Sequence, residues 1–334
     1  MRKFLLLALL IPVLVFTGIA SASGTTLHLV AFSTPQTVMK TVISNWQKTP
    51  AGKSVSFSTS YGPSTTQAQQ IVNGLPTDIA FLSNALDINT LVTAKKVQGN
   101  WQKTLPAQGM VANSVVAFAV RPGNPKHITS WADLTRKGVQ VVTPDPFPSG
   151  GAKWNVLAAY GQMRAQGKND KQGLAYVQSL FKHVIAQPSS ASNAMSAFLA
   201  GQGDVLITYE SEAYTAQLAG KSLQIVVPKQ TIQIQLPMVP TVGAPKQASK
   251  FIEYCHSAAA QKLFVQAGYR PVVTSVLNDP SLKSWAAKFS TKGHVIFPVT
   301  AAYLGGWIKA AKLWFSSPNG RMIKIEQSVG GPTS

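Results

Sequence analysis

The stretch Val141-Val142-Thr143-Pro144-Asp145-Pro146-Phe147-Pro148-Ser149-Gly150-Gly151-Ala152-Lys153-Trp154-Asn155 compresses the organisation of the whole chain into fifteen residues. Val139 to Thr143 reads as a buried strand, Pro144 to Gly151 as a Pro- and Gly-rich connection, and Ala152 to Arg164 as a helix. A strand delivered directly into a helix is half of a βαβ unit, and the same alternation recurs on both sides, which predicts an α/β chain with largely parallel sheets. Upstream, Thr26 to Phe32 is an apolar strand, and Met39, Val42, Ile43 and Trp46 follow at the i, i+3, i+4, i+7 spacing of one helix face. Val55 to Ser58 leads through Tyr61-Gly62-Pro63-Ser64 into a helix carrying Ile71, Val72 and Leu75, and Asp78 to Leu82 is a third strand. Val115 to Val120 is a continuous apolar run ended by Arg121-Pro122-Gly123-Asn124-Pro125, and Ser130-Trp131-Ala132-Asp133 has capping-box spacing. Downstream lie a helix around Leu174 to Phe181 and strands at Val205 to Tyr209, Leu223 to Val227 and Ile232 to Val239. Lys246 to Ala267 reads as one long helix capped by Gly268, and a last helix over Tyr303 to Phe315 precedes a polar tail.

The start of the chain reads as an export signal over residues 1–22: Arg2 and Lys3, an apolar run from Phe4 to Phe16, then Ala20-Ser21-Ala22 as a cleavage site. The apolar run is shorter than the roughly 20 residues of a spanning helix. What remains exceeds the usual service of one hydrophobic core, so two lobes are expected. The expected division is 23–113 plus about 236–300 for lobe 1, 114–235 for lobe 2, and a C-terminal helix and tail over 301–334, with the chain crossing near Asn113 and Leu236. Cys255 is the single cysteine, so no internal disulfide can form; it reads as a small buried apolar residue. Net charge is +19, or +17 without Arg2 and Lys3. Such a field gathers anions. The basic residues are nowhere denser than pairs such as Lys95-Lys96, so no nucleic-acid stripe is present. With eleven carboxylates against thirty Lys and Arg there are few groups to protonate, which suits an acidic exterior.

An anion site needs donors. The turns Ser33-Thr34-Pro35, Ser64-Thr65-Thr66, Ser149-Gly150-Gly151 and Ser189-Ser190-Ala191-Ser192 each place hydroxyls and free amides at a helix start, where the dipole also favours negative charge. Capping is the commonest role of such Ser and Thr residues, and a capped helix still has amides to offer. Gly150-Gly151 is the most pointed case, because two glycines allow close backbone approach to one anion.

The quoted stretch closely resembles the signature of the periplasmic sulfate- and thiosulfate-binding proteins of ABC importers. Val72-Asn73-Gly74-Leu75, Trp101-Gln102-Lys103-Thr104-Leu105-Pro106, Pro122-Gly123-Asn124-Pro125-Lys126, Gly203-Asp204-Val205-Leu206-Ile207, Tyr269-Arg270-Pro271 and Gly305-Gly306-Trp307 resemble further family segments, in family order. The resemblance implies a two-lobed α/β periplasmic-binding-protein fold of type II with the ligand cleft between lobes. It also implies a monomeric periplasmic receptor, no cofactor, and a membrane permease as partner. Carried over by position, the anion contacts are Ser33, Ser64, Ser149, Gly150, Gly151, Ala191 and Tyr209. Ser64 and Ser149 would give hydroxyls, Gly150, Gly151 and Ala191 backbone N–H groups, and Tyr209 a ring donor.

Three departures from the family pattern stand out. Phe32-Ser33-Thr34-Pro35 replaces an Asp before Pro, so Ser33 or Thr34 supplies the first contact. Tyr209 replaces Trp, which is similar to molybdate-binding relatives, and Ser192 replaces the usual Arg. A donor-only site suits sulfate, a pure acceptor, over hydrogen phosphate, whose proton would lack a partner at a cost of roughly 1–3 kcal/mol. Asp145, four residues before Ser149, reads as a turn residue. Sulfate, thiosulfate, molybdate and tungstate share shape and charge and stay open as ligands.

Other classes are less well served. A hydrolase would need an assembled nucleophile, base and oxyanion hole, and no Gly-x-Ser-x-Gly elbow occurs. None of His28, His127, His183, His256 and His294 has metal-ligand spacing with another. Glu210 and Glu212 read as first-turn carboxylates of a helix rather than an acid–base pair. An exported polyanion-binding or adhesion protein would use the basic surface and leave the turns as idle caps.

Overall fold

A computed structural model of the chain describes residues 24–333. The expected export signal lies outside these residues. Among the described residues ten strands are formed: β1 (Thr25–Phe32), β2 (Val55–Gly62), β3 (Ile79–Phe81), β4 (Met110–Val120), β5 (Val141–Val142), β6 (Val184–Ala186), β7 (Val205–Tyr209), β8 (Gln224–Val226), β9 (Gln230–Pro240) and β10 (Val295–Phe297). They follow the order β2-β1-β3-β9-β4-β7-β5-β6, with β10 on β9 and β8 on β4. Among the described residues no helix is long and apolar enough to cross a membrane.

The sheets are mixed rather than largely parallel. β1 runs parallel to β2 and β3, and β5 parallel to β6 and β7, as βαβ crossovers require. The antiparallel pairs all involve β4 or β9, the two 11-residue strands that pass between the two groups. Met110 to Val115 of β4 pairs with β9, whereas Val116 to Val120 pairs with β7. β9 pairs with β10 through Gln230 to Ile232, with β4 through Gln233 to Pro237, and with β3 through Met238, Val239 and Pro240. The fold is thus two-lobed, each lobe a sheet flanked by helices, joined by two extended strands.

The local signals explain the elements. Met39, Val42, Ile43 and Trp46 are all buried on the helix Gln36–Trp46, and Trp46 meets the Phe251 ring edge-on at 5.1 Å. Each such side chain taken out of water stabilises the lobe by roughly 2 kcal/mol. The helix Gly150–Ala165 is buried on nearly every side. The reason lies at the C-terminus: Trp307 packs edge-on against Trp154 at 4.5 Å and Trp314 against Tyr160 at 4.9 Å, covering the helix face that the sheet leaves bare.

Three expectations need correction. Lys246–Cys255 and Ala258–Gln266 are separate helices, because Ser257 is extended and its side chain accepts from the Ala260 amide as a new N-cap. The segment read as a polar tail contains the helix Arg321–Val329, which buries Met322, Ile323 and Ile325 while Arg321 grips Asp170 at 2.7 and 2.8 Å. β5 shrinks to two residues, and the helix after it starts at Gly150 rather than Ala152. Cys255 is buried, as expected for an apolar role, and burial pushes its thiol pKa up.

Candidate anion-binding site

All seven predicted contact residues lie at or just beyond the C-terminal ends of strands. Ser33 follows β1 and Ser64 follows β2 in one lobe; Ser149 to Gly151 follow β5, Ala191 follows β6, and Tyr209 ends β7 in the other. The carboxyl ends of strands are where open α/β sheets hold ligands.

The two lobes are in contact there. Thr65 N donates to Pro148 O at 3.1 Å, and Trp154 Nε1 donates to Ser83 O at 2.7 Å. A Cβ on Gly150 would lie 1.9 Å from Ser83 Oγ, 2.5 Å from Asn84 Nδ2 and 2.9 Å from Asp87 Oδ2. A Cβ on Gly151 would lie 2.8 Å from the Tyr209 ring and 3.0 Å from its hydroxyl. Both positions therefore demand glycine for close approach rather than for an unusual dihedral. The Phe32 and Tyr209 rings are 6.1 Å apart, which brings the end of β1 to the end of β7.

Donor accounting separates caps from free groups. Ser149 caps its helix: Oγ accepts from Ala152 N at 3.3 Å, and its own proton stays free to donate. The Ser149 amide goes to Asp145 O and that of Lys153 to Ser149 O, leaving the Gly150 and Gly151 amides without a partner among the described residues. Ser190, not Ala191, caps the next helix, taking Asn193 N at 3.1 Å, so the amides of Ala191 and Ser192 are left over. The Tyr209 hydroxyl is buried and has no hydrogen-bond partner; Ser83 Oγ lies beside it without reaching bonding geometry. Burial pushes the Tyr209 phenol pKa well up, so it remains a proton donor.

Ser64 departs from its expected role. Its hydroxyl donates to Asp87 Oδ2 at 2.6 Å and accepts from Ser83 N at 3.0 Å, so what it offers the cleft is its backbone amide. Ser33 is half-buried, whereas Thr34 is buried with Oγ1 3.5 Å from the Tyr269 hydroxyl. Asp145 serves the turn, Oδ1 accepting from Phe147 N at 2.9 Å. Burial raises its pKa, against the pull of Lys153.

Sequence reasoning missed the polar wall behind these donors. Asp87 also accepts from Thr65 Oγ1 at 3.0 Å and Asn84 Nδ2 at 3.1 Å, and Lys153 Nζ stands 3.9 Å away while donating to Thr65 Oγ1. Burial lowers the Lys153 pKa and the two carboxylates of Asp87 and Asp145 oppose it. The Asn84-x-x-Asp87 spacing, with Asn84 Oδ1 taking Asp87 N at 2.9 Å, is a capping signal legible in the sequence. Glu212 is a second buried carboxylate, held by Thr208 Oγ1 at 2.5 Å and flanked by Ser192 and Tyr209. Glu210 instead forms a bidentate pair with Arg270 at 2.7 and 3.0 Å. Among the described residues no group of three or more His, Cys, Asp or Glu side chains could hold a metal ion.

A sequence model of the family described as "Bacterial extracellular solute-binding protein" matches residues 27–270, a span that holds every one of these donors. The chain belongs to that family. Among individual relatives of this solute-binding protein, the sulfate-binding protein of Synechococcus elongatus is 34% identical over 313 residues, covering 91% of this chain and 87% of the relative. The thiosulfate-binding protein of Pseudomonas aeruginosa is 29% identical over 278 residues, covering 80% and 81%. The solved structure of the sulfate-binding protein SubI from Mycobacterium tuberculosis superposes with a TM-score of 0.81 at 37% identity, over 87% of this chain and all of that one.

Proposed function

We propose that this solute-binding protein captures sulfate or thiosulfate between its lobes and presents the closed complex to the membrane permease of an ABC importer. The observation that carries the reading is that the Gly150 and Gly151 amides and the Tyr209 hydroxyl, carried by residues in close contact at the lobe junction, all lack a partner among the described residues. The Tyr209 ring packs onto Gly151, and Gly150 stands against Ser83 of the opposite lobe. Buried unpaired donors are costly unless a ligand satisfies them. The anion would be held by the amides of Ser33, Ser64, Gly150, Gly151 and Ala191, the Ser149 hydroxyl and the Tyr209 phenol. Several helix N-termini then supply the positive potential that a counter-ion otherwise would.

Lobe 1 takes in residues 24–113 with about 236–294, and lobe 2 residues 114–235; the boundary expected near 300 falls before β10, which pairs with Gln230 to Ile232, and the C-terminal helices pack on lobe 2. The strands β4 and β9 are the hinge. Residues 1–22 direct export to the periplasm and are removed. No bond of the solute is changed, and turnover of sulfate or phosphate esters would contradict the reading.

Selectivity follows from the donor set. Hydrogen phosphate brings a proton, and Asp87, the carboxylate beside Gly150, already takes hydrogen bonds from Ser64, Thr65 and Asn84. An unpaired hydroxyl costs about 1–3 kcal/mol, a factor of about 5 to 150 against phosphate. The test is calorimetric titration of dialysed protein with sulfate, thiosulfate, molybdate and phosphate. Tight one-to-one binding of sulfate or thiosulfate, with phosphate weaker, supports the assignment. A preference for molybdate would reassign the site to a larger oxyanion, and binding of none would remove the receptor function.

A further inference from the structure

The motif Tyr269-Arg270-Pro271 supplies none of the seven proposed contacts, yet the segment that carries it grips the helix following Tyr209 residue by residue. Ala267 O accepts from Thr215 Oγ1 at 3.1 Å. Gly268, at φ +91°, is pressed onto that helix so closely that a Cβ would lie 2.4 Å from Tyr214 Cβ and 3.3 Å from Ser211 O. Arg270 closes the series with its bidentate pair to Glu210, whose carboxylate is fully buried. The Arg270 backbone is itself fixed to the hinge strand β4, exchanging hydrogen bonds with Asn113 at 2.8 and 2.9 Å.

Between these contacts stands Tyr269, buried to all but 1%. Its ring packs edge-on against Phe264 at 6.0 Å, which sets its direction. Its hydroxyl reaches Thr34 Oγ1, one residue beyond Ser33, at 3.5 Å. The Ser211 hydroxyl, two residues after Tyr209, is buried and has no hydrogen-bond partner. Burial raises the phenol pKa, with the nearby Thr34 and Ser211 hydroxyls acting against that rise.

We infer that Tyr269 is a positioning residue of the anion site, linking the Ser33–Thr34 turn of lobe 1 to the helix that begins after Tyr209 in lobe 2 and thereby setting what Tyr209 contributes to anion affinity. The inference rests on the receptor function proposed above. Tyr269 reaches both halves of the site through their supports: its own hydroxyl meets Thr34, next to one expected contact, while its neighbours Gly268 and Arg270 are fixed on Tyr214 and Glu210 of the helix that follows another. Removing its hydroxyl leaves the ring and its packing in place, but uncouples the two turns.

The experiment compares wild type, Tyr269→Phe, Tyr209→Phe and the double variant by calorimetry with sulfate and thiosulfate, alongside thermal unfolding. Tyr269→Phe is expected to weaken binding about tenfold while unfolding within a few degrees of wild type. The double variant should bind no more than about twofold more weakly than the weaker single variant, because the two hydroxyls act as one unit. Unchanged affinity in Tyr269→Phe, or losses that multiply in the double variant, would overturn the inference. Hydrogen exchange on the ligand-free proteins reads the linkage separately: Tyr269→Phe should speed exchange in both residues 37–41 and 211–216, and a change confined to one of them also overturns it. If wild type binds no anion the receptor reading fails along with the affinity claim, and exchange alone decides whether the two turns are linked.

Discussion

Gly150→Ala separates lobe closure from folding. In the closed arrangement the new methyl would sit 1.9 Å from Ser83 Oγ, 2.5 Å from Asn84 Nδ2 and 2.9 Å from Asp87 Oδ2, all on the facing lobe. Non-bonded contacts of this kind settle near 3.5 Å, so the facing wall must retreat by roughly 1–2 Å or the lobes must stay apart. The wall cannot yield easily, since Ser83, Asn84 and Asp87 are buried and hydrogen-bonded to one another. Overpacking of this degree costs about 1–3 kcal/mol, which predicts anion binding weakened by about 5- to 150-fold. With the lobes apart the methyl meets nothing, and alanine at a helical position is favoured over glycine by about 0.4–1 kcal/mol. Calorimetry and thermal unfolding of the ligand-free protein together give the signature: weaker binding with unchanged or slightly higher thermal stability. Wild-type affinity in Gly150→Ala would refute the reasoning, because it would mean that these lobes do not meet around the bound anion.

Ser149→Ala should weaken both anion binding and the fold, the latter by about 1 kcal/mol for the lost N-cap, with Ser149→Thr restoring most of the stability. Burial raises the Glu212 pKa to about 7, so the folded protein holds this proton more tightly than the unfolded chain. Stability should therefore be greatest at the acidic side of the window between the ordinary glutamate value and 7, and fall as pH rises through it, by about 3 kcal/mol from this group at most. Glu212→Gln should flatten that slope in thermal melts between pH 5 and pH 8, and an unaltered slope would count against it. Asp133 and Asp170, whose pKa values are held down by hydrogen bonds, act in the opposite sense and lose their contribution only in stronger acid. Raising NaCl from 50 to 500 mM, about a threefold change in Debye length, should change sulfate affinity only slightly, whereas binding on the basic surface would collapse.

Much of the candidate site was legible because the donors it offers are backbone groups in turns that composition marks out. Ser149-Gly150-Gly151 announces both a cap and a close approach, and the donor accounting leaves those same two glycine amides unpaired. Ser64 shows the limit of carrying a role by position: nothing adjacent in sequence says that Asp87, 23 residues away, takes its proton. Tyr269 was unreadable for the same reason, since its partner Thr34 is 235 residues away, whereas Glu212 has a local partner in Thr208 and was unreadable because only the fold reveals its burial. In the fold, the strong periodicity of Met39 to Trp46 located a helix accurately, whereas the continuous apolar pattern through Cys255 concealed the new cap at Ser257. The mixed sheet was missed because direction is set by connectivity: β4 and β9 run antiparallel to each other and to β7, β8 and β3, while β9 runs parallel to β10.

The central claim is that the anion sits at the closed junction of the lobes, on neutral donors. The most direct test is a crystal structure with selenate, located by anomalous scattering. The account predicts one selenate within about 3 Å of the Gly150 and Gly151 amides and the Tyr209 hydroxyl. Selenium on surface lysines only, with the Gly150–Ser83 junction unoccupied, would contradict it.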